Sequence, residues 1–116
     1  MSDASQQFEA LSMEFTQAQQ AMNELLEARS KLETQFQENK IVLGEFESMK
    51  EDAKIYKLTG PVLMPQDFGE AKMNVSKRIE FILGEIKRAE EKIEKSQALM
   101  EETRAKLLQI RSQMGA

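Results

Sequence analysis

The side chains able to do chemistry in this chain are carboxylates and cations, and their spacing gives them little to do. Glu90, Glu91 and Glu94 crowd one short stretch. Carboxylates become acid–base catalysts only where a pocket shifts their pKa, and on a solvated helix they are most simply a hydrated face. Lys77-Arg78 and Lys87-Arg88 have the charge to touch phosphates, but Glu80, Glu85, Glu90 and Glu91 flank them, so no net basic stripe forms. There is no Cys and no His. That removes disulfides, thiol nucleophiles, the usual zinc sets and the commonest general base. Neither a G-x-x-x-x-G-K loop nor G-x-G-x-x-G occurs, so phosphate cradles of those kinds are missing too. Asn74-Val75-Ser76 matches a glycosylation sequon, read as chance in a chain without a secretory signal. The expectation is a protein that is not an enzyme, with no catalytic residues, no cofactor and no metal site.

The elements carrying these residues follow from composition and periodicity. The chain has 116 residues, 31% of them charged and only 6% aromatic, with five Gly and two Pro. Sixteen Lys and Arg against 20 Asp and Glu give a net charge of −4. One protomer built of long helices fits that profile better than a packed globule. Met1 to Glu9 is polar and is no signal peptide. No stretch approaches the roughly 20 apolar residues that span a bilayer, and Ser112 to Ala116 carries no lipidation or retention code. A soluble cytoplasmic protein is expected, without a membrane partner.

A strict seven-residue repeat runs through both halves. In the first, Phe8, Phe15, Met22, Arg29, Phe36 and Leu43 form one set (a), and Leu11, Ala18, Leu25, Leu32, Asn39 and Phe46 the other (d); ten of the 12 are apolar. In the second, a is Ile79, Ile86, Ile93, Met100, Leu107 and Met114, and d is Val75, Ile82, Ala89, Ser96, Thr103 and Ile110; again ten of 12 are apolar. A straight helix of period 3.6 drifts about 20° per heptad, so an unbroken repeat over this length specifies a left-handed coiled-coil seam. Asp67-Phe68-Gly69-Glu70 has the form of a capping box and marks the start of the second helix, with Pro65 just upstream. Arms of about equal length, roughly 65–70 Å each at 1.5 Å per residue, fold back antiparallel. Pairing large with small side chains favours Arg29 beside Ser96, Phe36 beside Ala89 and Ala18 beside Leu107. Arg29 and Asn39, polar within the seam, either fix register or reach solvent at its edge.

Between the arms, Lys54 to Leu58 and Val62 to Met64 are β-prone, and Thr59-Gly60-Pro61 supplies turn chemistry. The expected limits are a helix over 1–52, a β-hairpin and linker over 53–66, and a helix over 67–116. A lone hairpin is marginal in water and offers unpaired edges, so Ile55, Tyr56, Leu58, Val62, Leu63 and Met64 are expected to meet strands of other chains. Ile41, Val42, Met49, Met73, Phe81 and Leu83 lie off the seam near that end. Either they extend an assembly surface or they are scattered surface residues of the ordinary kind. On this reading Leu58→Asp or Val62→Asp breaks oligomerisation.

At the other end lie the two termini. Phe8, Leu11, Phe15, Leu107, Ile110 and Met114 occupy the outermost heptads, with Met13 and Leu108 off the seam. Ala18, Ser96 and Thr103 weaken the seam just inward. A loosely zipped tip would present Phe, Met and Leu to another surface; equally, the same residues would simply close the coil. Residues 1–28 carry five acids and no base, which disfavours nucleic acid there. A nucleic-acid-binding helical hairpin of the tRNA-synthetase kind is argued against by the acidic balance, and a structural scaffold binding folded partners stands as the alternative.

The run from Arg29 to Lys40 (RSKLETQFQENK), the hairpin from Ile55 to Leu63 (IYKLTGPVL) and the opening of the second arm from Glu70 to Ile82 (EAKMNVSKRIEFI) resemble the prefoldin family, and a single hairpin marks the β type. The resemblance implies a mainly α protomer, a long antiparallel two-helix coiled coil with one β-hairpin at the connecting end. It implies a heterohexamer with two α-type and other β-type subunits, hairpins in a shared β-barrel, and tips that hold unfolded clients such as actin and tubulin. Delivery would be to the cytosolic chaperonin, without nucleotide hydrolysis by the assembly itself.

Overall fold

A computed structural model describes residues 3–50 and 53–115, so the expected limits at residues 1–2, 51–52 and 116 lie outside the described residues. The order is α1 (Asp3–Ser48), β1 (Ile55–Thr59), β2 (Val62–Gln66) and α2 (Phe68–Gln113). Few helix breakers interrupt the heptads, and each helix runs unbroken. Asp67 caps α2: its Oδ2 accepts from the Glu70 backbone N–H at 2.9 Å, and its carbonyl accepts from Ala71 N–H at 2.9 Å. Among the described residues the return contact expected from the Glu70 side chain is not made.

The chain packs as two units, Met1–Ser30 with Lys87–Ala116, and Lys31–Ile86. In the first, the sealed positions are Ala18, Met22, Ala89 and Thr103. In the second they are Phe46, Ala71, Ile82 and Ile86. All but one of these eight are a or d residues of the heptads, the exception being Ala71. Every a and d position of α1 is buried or half-buried, and of the α2 set only Met114 is exposed. The burial of apolar seam side chains, worth about 1.5–3 kcal/mol for each one fully buried, is what holds these helices.

The register differs from the expected one in each unit. In the first, Arg29 Nη2 lies 2.9 Å from Glu90 Oε1, six residues and about 9 Å along the helix from Ser96. In the second, the expected pairing sets Phe46 level with Ile79, yet Phe46 packs edge-on against Phe68 with ring centroids 5.7 Å apart. Matching large to small side chains discriminates poorly between slips of a whole heptad. The connection discriminates better, because Ile55 pairs with Gln66 and thereby brings the end of α1 to the start of α2.

The weak-seam reading of the small residues is also corrected. Ala18 is 8% exposed and Thr103 only 2%, while Ser96 is half-buried like most of the seam. A small side chain in a seam lets the helices close rather than part. The Thr103 hydroxyl is satisfied locally, donating to Leu99 O at 2.9 Å, so its burial leaves no orphaned polar atom.

Candidate functional site

Two surfaces collect the residues singled out by pattern: the hairpin with the helix segments beside it, and the helix ends at the termini. The hairpin pairs antiparallel in the register Ile55–Gln66, Tyr56–Pro65, Lys57–Met64, Leu58–Leu63 and Thr59–Val62. Its two-residue turn is Gly60-Pro61. Gly60 has φ +60°, the left-handed value required at the first central position of a type II′ turn, and proline suits the second. The strands end later than expected, and Pro65, just upstream of α2 as expected, lies inside β2. It is tolerated because the ladder alternates. A two-residue turn closes on a hydrogen-bonded pair, Thr59–Val62, so Tyr56–Pro65 and Leu58–Leu63 are non-hydrogen-bonded pairs whose backbone groups point away from the partner strand.

Side chains in a strand alternate between faces, so this register sorts the hairpin. One face carries Tyr56, Leu58, Leu63 and Pro65, apolar throughout and exposed. The other carries Ile55, Lys57, Thr59, Val62, Met64 and Gln66, of which Ile55 and Gln66 are half-buried. Leu58 and Val62, expected to enter one shared interior, are therefore on opposite faces. Ile55, Lys57 and Gln66 of this second face, with Tyr56 between them, line a groove of about 290 Å³ with Val42, Phe46, Ala71 and Val75. Ile41, Phe81 and Leu83 are exposed and stand outside it, as do Met49 and Met73.

At the helix ends, Met13, Leu108 and Met114 are exposed. Phe8, Leu11, Phe15, Leu107 and Ile110 are half-buried, neither sealed nor free. Charges segregate there by helix. Asp3, Glu9 and Glu14 lie toward the α1 N-terminus, and Arg104, Lys106 and Arg111 toward the α2 C-terminus; Asp3 in the first turn of α1 and Arg111 in the last turn of α2 each suit the helix dipole they meet. Lys106 also pairs with Glu102 at 3.2 Å.

The two polar seam residues act differently. Arg29 crosses to Glu90, whereas the Asn39 amide turns back to Gln35 O at 2.7 Å on its own helix. Glu90 was legible only as part of a hydrated face. The missed signal was Arg29 itself, since a guanidinium half-buried in an apolar seam needs a carboxylate on the facing helix. Among the described residues no group of acidic side chains could hold a metal ion, and no helix is long and apolar enough to cross a membrane.

Two long helices joined by one two-stranded hairpin define the fold of a β-type prefoldin subunit. The crystal structure of the prefoldin beta subunit from Thermococcus strain KS-1 superposes with a TM-score of 0.81 at 23% identity, covering 87% of this chain and 89% of that one. The profile of the family described as prefoldin subunit matches residues 9–113. Prefoldin subunit 6 of Saccharomyces cerevisiae is 47% identical over 100 residues, 86% of this chain and 88% of the relative. Prefoldin subunit 6 of Homo sapiens is 35% identical over 99 residues, 85% of this chain and 77% of the relative. The chain belongs to the prefoldin family of chaperone subunits, and membership implies assembly with other prefoldin subunits.

Proposed function

We propose that this chain is one β-type member of a heterohexamer containing two α-type and other β-type prefoldin subunits. In this reading it works in the cytosol without ATP, holds non-native polypeptides such as actin and tubulin at its helix ends, and passes them to the cytosolic chaperonin. The observation that carries the reading is the pairing of exposed Met13, Leu108 and Met114 with half-buried Phe8, Leu11, Phe15, Leu107 and Ile110 at one end. Exposed methionine and leucine beside a seam give contacts that adapt to many sequences. Several weak contacts on one platform raise effective concentration while each still releases quickly. The assembly residues in this reading are Ile55, Tyr56, Leu58, Val62, Leu63 and Met64 of the hairpin, with Ile41, Val42, Phe81 and Leu83 beside it.

Removing residues 1–16 and 106–116 tests the proposal. The expected result is an intact complex that suppresses aggregation of a denatured client less well than the full-length one. Equal suppression would refute the role given to the helix ends. Tight binding of one folded partner, with no affinity for unfolded chains, would favour a scaffold instead.

A further inference from the structure

We infer that Met13 and Met114 are oxidation sites through which a peroxide turns down client capture: their sulfoxides blunt the helix ends while the coiled coil stays closed. The inference rests on the helix-end reading and adds a reversible control to it.

Exposure sorts the methionines of the chain. Met22 and Met100 hold seam positions, Met22 only 7% exposed and Met100 half-buried. Met13, off the seam, is 60% exposed, and Met114, at the last a position of α2, is 44% exposed. Met49, Met64 and Met73 are exposed too, but they belong to the unit that contains the hairpin. An oxidant in water therefore reaches Met13 and Met114 ahead of Met22 and Met100. Met13 also lines a groove of about 330 Å³ along α1 with Glu9, Ser12, Thr16 and Gln17. It is the apolar member of that lining, so its oxidation leaves the groove without one.

The reaction is a two-electron oxygen transfer. The thioether sulfur attacks hydrogen peroxide, and its electron pair forms the S–O bond as the O–O bond breaks. The proton on the transferred oxygen passes to the departing hydroxide, which leaves as water. The sulfur is oxidised and the peroxide reduced. A soft apolar side chain becomes a polar one of the same length, and an apolar client group laid against it must cover an oxygen without giving it a partner. Neither residue is sealed in the seam, so the helices keep their packing. A sulfoxide at Met22 would instead put that oxygen inside the seam and damage the coil. Methionine sulfoxide reductases return the thioether, two thiols taking the oxygen off as water and leaving as a disulfide.

The test uses the full-length chain, unsubstituted or as Met13→Leu/Met114→Leu, assembled with the other prefoldin subunits and treated with hydrogen peroxide under native conditions. Peptide mass spectrometry reads sulfoxide at each methionine of this chain. Suppression of aggregation of a denatured client is read as the ratio after and before peroxide, so a different starting level in the variant does not enter. Expected are oxidation of Met13 and Met114 about tenfold or more faster than Met22, and a capture ratio roughly threefold lower with the unsubstituted chain than with the double leucine variant. Helical circular dichroism stays unchanged, and sulfoxide reductase removes the difference. Met13→Gln/Met114→Gln, which copies the added polarity without peroxide, lowers capture in the same direction. Met22 oxidised as fast as Met13, equal ratios for the two complexes, or loss of helix together with loss of capture would each overturn the inference. Truncation of residues 1–16 and 106–116 without effect on capture refutes the helix-end reading itself; truncation that weakens capture while the sulfoxides do not refutes the oxidation control alone.

Discussion

Substitutions at Thr103 decide whether the coiled coil is zipped near its helix ends. Thr103 is 2% exposed and its hydroxyl donates to Leu99 O at 2.9 Å. Thr103→Val loses that bond, worth about 0.5–1.5 kcal/mol net, and buries a methyl group in its place, worth about 0.8 kcal/mol. Leu99 O keeps its ordinary helical bond, so no polar atom is stranded. Stability should stay within about 1 kcal/mol of the unsubstituted chain. Thr103→Leu instead forces extra methylenes into a filled site, costing about 1–3 kcal/mol, against a helix-propensity gain of about 0.5 kcal/mol. A net loss of about 0.5–2.5 kcal/mol is expected. In an unzipped helix the packing cost vanishes and the leucine variant becomes the more stable one. The sign of the leucine effect therefore separates the two states. Urea unfolding followed at 222 nm, with midpoint and slope both recorded, gives the answer. A Thr103→Leu chain at least as stable as the parent would refute the closed seam.

Three further outcomes follow from burial and geometry. A double-mutant cycle on Arg29→Ala and Glu90→Ala should give a coupling of about 0.2–1 kcal/mol that shrinks with salt, because the two side chains are 38% and 52% exposed; zero coupling at low salt would remove the ion pair from the account of register. Ile86→Ala should cost about 2–5 kcal/mol while Phe81→Ala, 65% exposed, shifts the isolated chain by about 0.5 kcal/mol or less; equal losses in urea melts would contradict the seam. Gly60→Ala meets no atom within 4 Å, so its cost is the left-handed backbone alone, about 1–2 kcal/mol. It should weaken assembly roughly 5–30-fold with helical circular dichroism unchanged, and unaltered assembly would count against the turn geometry.

The seam was legible because a heptad repeat is a periodic signal summed over six turns of the pattern, and nearly every residue assigned to it is shielded. The hairpin was legible from turn chemistry at Gly60-Pro61. Register was not, because side-chain volumes repeat every seven residues and discriminate weakly, whereas one ion pair, Arg29 with Glu90, and one strand pairing, Ile55 with Gln66, are single contacts without periodicity. Thr103 was misread for a related reason. A polar residue at d suggests weakness when seen alone, and only its bond to Leu99 O shows how its hydroxyl is satisfied on its own helix. The two faces of the hairpin became visible only once the strand ends were fixed, since a shift of one residue exchanges them.

On the proposed function, this chain works only as one part of a shared assembly. Native mass spectrometry of the full chain, alone and after mixing with the other prefoldin subunits, measures that directly. A single six-subunit mass that contains this chain and disappears when it is withheld is the predicted result. A chain that stays monomeric in the mixture and suppresses client aggregation fully by itself would contradict the account.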